Sequence, residues 1–165
     1  MVIESDEALT ELALAVGERL LRERLRLATA ESCTGGWISK VATDVAGSSA
    51  WFERGFVCYS NEAKMEMLGV SARTLERHGA VSREVAVEMA RGATAHRRAG
   101  VSVAVTGVAG PGGGTLDKPV GLVWIAWYRS GGVPRTLEAR FDGGREAVRR
   151  STVAEALRGL KRLLD

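Results

Sequence analysis

Cysteine is scarce in this 165-residue chain, which carries only Cys33 and Cys58. The two form neither a disulfide framework nor a zinc-ligand spacing, and they suit a reducing cytosol. Histidine is as rare: His78 and His96 lie far apart without neighbouring ligands at coordinating spacing, so no metal is expected. Two histidines also leave few candidates for a Ser-His-Asp triad, and a serine–lysine pair suits the composition better. With 3 prolines the chain has no proline-rich linker, and it shows no internal repeat or low-complexity tract. The longest apolar run, Val120 to Tyr128, is far too short to span a bilayer. Aromatics make up 5% of residues, which weakens any reading based on stacking nucleic-acid bases. Nor is there a strong excess of one charge. The formal net charge is +3, and bases alternate with acids except between Arg145 and Arg162, which reads as a solvated helix face rather than a nucleic-acid surface. The opening Met1-Val-Ile-Glu-Ser-Asp carries acid where an export signal needs base.

What is present fits an ordinary globular protein. Hydrophobic residues at 45% and charged residues at 26% exclude a disordered chain, and the length matches one domain over residues 1–165. Ser5 or Asp6 can cap a first helix whose stripe is Leu9, Leu12, Val16 and Leu20. Leu25 to Ala30 reads as a buried strand, followed by a helix through Trp37, Ile38 and Val41. Trp51 to Tyr59 reads as a strand, and Asn61 to Leu68 as a short helix stopped by Gly69. Ser82 caps a helix expected to run to about Arg98, with Gly100 closing it. Val101 to Val105 and Val120 to Tyr128 read as strands buried on both faces. Thr136 to Phe141 alternates as a half-exposed strand, and a last helix begins near Arg145. The expected fold is α/β: a three-layer α/β/α sandwich around a mixed, mostly parallel central sheet.

The 20 glycines matter because they cluster. Ala28-Thr-Ala-Glu-Ser-Cys-Thr-Gly-Gly36 puts Ser32 in a tight strand-to-helix turn. The N–H groups from Cys33 to Gly36 could there stabilise an oxyanion or hold a phosphate, though taken alone the motif is better explained by Ser32 or Thr34 as a plain helix cap. In Tyr59-Ser-Asn-Glu-Ala-Lys64, Glu62 and Glu66 mark a wet helix face with Lys64 opposite, beside Met67 and Leu68. Burial and the first helical turn both lower a lysine's pKa and favour the neutral amine of a general base. Snorkelling along apolar surface is the plain alternative. Tyr59 relays a proton or fills the core rim. Thr106-Gly-Val-Ala-Gly-Pro-Gly-Gly-Gly114 is an anion nest or a flexible loop, and it is neither a P-loop nor a dinucleotide fingerprint. Ser32, Tyr59 and Thr106 each sit at a predicted strand end, where ligands bind open α/β sheets, so the three are expected to converge. Arg145, in a first helical turn, either bridges an anion to the dipole or is balanced by Glu146. His78 reads as a turn or capping residue, and Cys33 is a rival nucleophile by adjacency.

Taken in order, Thr29-Ala-Glu-Ser-Cys-Thr-Gly-Gly36, Tyr59-Ser-Asn-x-x-Lys64, Leu68-Gly-Val70, His78-Gly-Ala-Val-Ser82 and Thr106-Gly-Val-Ala-Gly-Pro-Gly-Gly113 resemble the CinA C-terminal domain family. Its members include bacterial nicotinamide-nucleotide amidohydrolases. The likeness extends to Phe141-x-Gly-Gly-Arg145; larger members carry an N-terminal domain, for which this chain is expected to have no room. The resemblance implies hydrolysis of the carboxamide of nicotinamide mononucleotide, without a cofactor, in a cytoplasmic homo-oligomer, expected to be a dimer. It makes Ser32 the nucleophile, Lys64 the base, and Tyr59 an assistant in proton transfer or lysine orientation. It assigns substrate contacts to Cys33, Thr34, Gly35 and Gly36, to Thr106, Gly107, Ala109, Gly110 and Gly112, and to Arg145. Glu31 would orient Lys64 or a ribose hydroxyl. Gly144 departs from the family's usual acid and bears on the local arrangement of Arg145. Because the family name is also linked with competence and DNA damage, a nucleotide-binding module without turnover is the competing reading. A serine hydrolase for another amide is the third.

Overall fold

The computed structural model describes residues 3–165; Met1 and Val2, which open the segment read for export, lie outside them. Ser5 caps α1 (Asp6–Glu23) by accepting the Ala8 N–H at 3.1 Å, and Arg24 ends it in a left-handed conformation. The chain continues through β1 (Leu27–Glu31), α2 (Trp37–Asp44), β2 (Phe52–Val57), α3 (Asn61–Leu68), α4 (Ala72–His78), α5 (Arg83–Ala93), β3 (Val101–Gly107), β4 (Leu122–Arg129), β5 (Arg135–Arg140) and α6 (Arg145–Leu164).

The sheet has the order β2-β1-β3-β4-β5. β1 pairs in parallel with β2 and β3, while β4 runs antiparallel to β3 and to β5. The sheet is therefore mixed, as expected. "Mostly parallel" describes strand direction, since only β4 runs against the rest, whereas the pairings divide evenly. The reason is the Gly131-Gly132 turn, which closes a β4–β5 hairpin at the edge.

Alternation along β3 separates two cores. Val101, Val103 and Val105 join Leu27, Val123, Ile125 and Trp127 beneath α1, α2 and α6. Ala104 joins Ala28, Ala30 and Ala126 beneath α5 on the opposite face. Small side chains there let α5 settle close, and Ser102 Oγ donates to the Ala90 carbonyl at 2.6 Å. On the first face α6 presses on Trp127, whose indole N–H donates to the Ala156 carbonyl at 2.8 Å. A Cβ on Gly159 would come within 2.0 Å of that ring, so glycine is what admits the indole.

Two expectations need correction. α5 stops at Ala93, not near Arg98: Thr94 caps it, Arg97 turns left-handed at φ 60°, and Gly100 instead donates to the Arg26 carbonyl. Beyond Ala93 no large apolar side chain continues the inner stripe. The two-turn α4 was not anticipated; His78, read as a turn or cap, is its last residue, followed by Gly79.

Candidate active site

Ser32 follows directly on β1, and its N–H donates to the Val105 carbonyl at 3.1 Å, extending the β1–β3 pairing. Cys58 extends the other side by donating to the Glu31 carbonyl at 2.9 Å. Because β1 lies between β2 and β3 in the sheet, the segments after all three strands meet at one edge. The expected convergence of Ser32, Tyr59 and Thr106 is found. They share a cleft of about 210 Å³ with Cys33, Asn61, Lys64, Ala80, Val81, Gly107, Ala109 and Arg145. A larger hollow of about 400 Å³ between α4, α5 and Val133-Pro134 lacks a nucleophile–base pair.

Lys64 enters from α3, whose cap Ser60 accepts the Ala63 N–H at 3.0 Å. Its side chain is 1% exposed. Nζ stands 3.2 Å from Ser32 Oγ and donates to the Tyr59 carbonyl at 3.0 Å. Burial pushes the amine below its ordinary pKa, with Cys58 and Cys33 opposing more weakly. Lys64 shares its inner face with Leu68, whereas Met67, expected beside it, is exposed. Burial lifts the Cys33 thiol to about 12 and the Cys58 thiol to about 11. A thiol so hard to ionise is a poor nucleophile near neutral pH.

The Tyr59 ring does not fill the core rim, and its hydroxyl makes no hydrogen bond to Lys64 among the described residues. It is 63% exposed, and its hydroxyl accepts from Arg145 at 3.3 Å. The lysine is oriented by the Tyr59 carbonyl instead. Arg145 also donates to the Gly110 carbonyl at 2.7 Å, so a cation stands at the cleft as its first-turn position suggested. Thr106 turns its hydroxyl to the Ala80 carbonyl at 2.9 Å, tying the end of β3 to the α4–α5 link.

Glu31 does not reach Lys64 or the cleft. It is 0% exposed, and five donor groups lie within 3.2 Å of its carboxylate: the Thr29, Thr34 and Ser39 hydroxyls and the Ile38 and Ser39 N–H groups. The carboxylate caps α2, because Gly36 at the N-cap has no side chain to do so. Thr34 serves that cap. Gly35 and Gly36, at φ 61° and 97°, reverse the chain where a side chain would strain it. With Trp37, Lys40 and Arg149 these three line a separate hollow. Gly112 lies in the exposed part of its loop, and the Gly110 carbonyl accepts from Arg145. Of the four turn donors, Gly35 N–H closes onto the Ser32 carbonyl at 3.1 Å. Those of Cys33, Thr34 and Gly36 have no protein acceptor among the described residues.

Asn61, Ala80 and Val81 were not anticipated. Asn61 follows Tyr59-Ser60 in the lysine motif, and Ala80-Val81 sit in the His78-Gly-Ala-Val-Ser82 motif; only α4 explains why that motif passes over β3. His78 faces Glu84 at 3.6 Å, and His96 stacks on Phe56 at 6.4 Å between ring centroids.

The model of the CinA C-terminal domain matches residues 9–164. The nicotinamide-nucleotide amidohydrolase PncC of Escherichia coli (strain K12) is 53% identical over 94% of each chain. Its namesake from Pseudomonas putida is 52% identical over 95% of this chain and 98% of its own. The crystal structure of competence/damage inducible protein CihA from Agrobacterium tumefaciens superposes with a TM-score of 0.93 at 47% identity, covering 100% of this chain and 99% of the other. This chain belongs to the CinA C-terminal domain family.

Proposed function

We propose that this protein is an amidohydrolase that removes ammonia from the carboxamide of nicotinamide mononucleotide and leaves nicotinic acid mononucleotide, with Ser32 as nucleophile and Lys64 as general base. The observation that carries the chemistry is the 3.2 Å approach of Lys64 Nζ to Ser32 Oγ in a buried site. The substrate is supported by the activity named for relatives 53% and 52% identical over most of the chain.

Neutral Lys64 donates one N–H to the Tyr59 carbonyl and accepts the Ser32 proton as Oγ attacks the carboxamide carbon. The negative charge then placed on the carboxamide oxygen needs donors. The N–H groups of Cys33 and Thr34 follow Ser32 directly and are free to serve; a donor of this kind contributes about 3 kcal/mol elsewhere. Lys64, now an ammonium, returns the proton to the amide nitrogen, the C–N bond breaks, and ammonia leaves an acyl ester on Oγ. Water attacks that ester while Lys64 takes its proton and passes it to Oγ, releasing the acid. Arg145 supplies the cation for the nucleotide phosphate. The cytosol is the proposed compartment, since Cys33 and Cys58 are free thiols; among the described residues no helix is long and apolar enough to cross a membrane.

Ammonia release from nicotinamide mononucleotide by the wild type, Ser32→Ala and Lys64→Ala tests this reading. The wild type should turn over, and each variant should lose about 10³-fold or more while still folded. A folded wild type that binds the nucleotide without releasing ammonia would leave the regulatory module as the better reading. Activity surviving in Ser32→Ala would move the nucleophile to water or Cys33.

A further inference from the structure

Arg145 and Arg149 stand one turn apart on α6, but only Arg145 lines the cleft. Arg149 reaches the nucleophile turn from the other side. Its Nε donates to the Cys33 carbonyl at 3.0 Å and its Nη2 to the Thr34 carbonyl at 3.1 Å, while the guanidinium lies 5.4 Å from the centroid of the Trp37 ring. The peptide joining Cys33 and Thr34 is trans, so its C=O and N–H point in opposite directions. A Cys33 carbonyl held on Arg149 turns the Thr34 N–H away from that arginine. The Thr34 N–H has no protein acceptor among the described residues. A charge-assisted bond to the carbonyl also polarises the amide and strengthens its N–H as a donor. The second bond fixes the next peptide, whose Gly35 N–H closes the turn on Ser32.

We infer that Arg149 is a positioning residue, which sets and polarises the Cys33–Thr34 peptide so that the Thr34 N–H meets the oxyanion formed when Ser32 attacks. The inference rests on the amidohydrolase reading for its substrate but not for its geometry. Two readouts therefore run together: ammonia release from nicotinamide mononucleotide, and the rate at which a fluorophosphonate labels Ser32, followed by intact mass. In the labelling step an Oγ–P bond forms, fluoride leaves, and the serine proton passes to Lys64.

Arg149→Met should lower kcat and the labelling rate together by roughly 10- to 100-fold, with KM changed less than about threefold. Arg149→Lys, a single point charge, should recover part of the loss and carries the test should Arg149→Met not fold. Arg150→Met should stay within about twofold, because Arg150 stacks on the same Trp37 ring but bonds Asp6 and Glu146. The inference is overturned by a folded Arg149→Met with near wild-type kcat, by a rise in KM alone, or by an equal loss in Arg150→Met. If the wild type is labelled yet releases no ammonia, the amidohydrolase reading fails and the labelling ratio alone decides for or against Arg149. A wild type that is not labelled overturns the inference.

Discussion

Glu31 and Lys64 are both ionisable side chains taken out of water beside the same serine, and their surroundings are opposite. Glu31 precedes Ser32 in the chain and has five donor groups around its carboxylate. Lys64 has one carbonyl and one hydroxyl, and no carboxylate within hydrogen-bond or ion-pair distance among the described residues. A buried carboxyl group with that many donors is structural: the network anchors α2 and the turn that follows β1. A buried amine with so little to hold its proton is held below its ordinary pKa. The comparison teaches that burial alone does not mark a catalytic group. What its partners leave it free to do does.

The largest effect should come from Lys64→Met, which removes the base and should reduce ammonia release by about 10³-fold or more. The same variant should be more stable than the wild type. The amine's folded pKa lies below its ordinary 10.5. Between those two values the unfolded chain binds the extra proton and stability rises with pH; below the folded value the burial penalty is present in full. The gain in Tm should therefore be clear at neutral pH, at about 2–4 °C per kcal/mol, and should fade toward about pH 10.5. A fall in Tm at neutral pH would place Lys64 with Glu31 as a stabilising charge.

Glu31→Gln should do the reverse. It leaves donors around the site unmatched and should cost about 2–4 kcal/mol of stability, read by thermal or urea unfolding. The fraction that remains folded should keep a pH–rate profile like that of the wild type. A shifted profile would mean that Glu31 acts on Lys64 after all. In the wild type kcat/KM should rise with pH and level off below 10.5, the ordinary lysine value, because the base must be neutral to accept the serine proton. A limb at the ordinary value would remove the reason for burying the lysine. Smallest of all, Tyr59→Phe should raise KM by about threefold and change kcat less, because the hydroxyl meets Arg145 rather than Lys64. A kcat loss above tenfold would assign the ring to proton transfer.

Much of this was legible because it depends on local patterns. The placement of Lys64 opposite Glu62 and Glu66 needs only helical periodicity, and the Ser32 turn needs only a strand followed by two glycines. Convergence at the strand ends follows from how α/β sheets are built. The role of Glu31 was not legible. Its partners Thr34, Ile38 and Ser39 are near in sequence, but a five-donor shell appears only once the Gly35-Gly36 reversal folds α2 back over β1. At Tyr59 the residue was legible but not the atom, since the group that orients the lysine is its backbone carbonyl, which every residue has. α4 was hidden by its seven residues, too short for a periodic stripe around the single buried Leu75. Arg149 acts across 116 residues of sequence, and only its spacing from Arg145 hinted at it.

To act as the base, Lys64 must be a neutral amine when it meets Ser32. The chain has four lysines, Lys40, Lys64, Lys118 and Lys161, few enough for each side-chain resonance to be followed by NMR on 13C,15N-lysine-labelled protein, with Lys64→Met giving the assignment. One resonance, absent from that variant, should titrate below the other three. Lys64 titrating alongside them, near its ordinary value of 10.5, would contradict its role as the base.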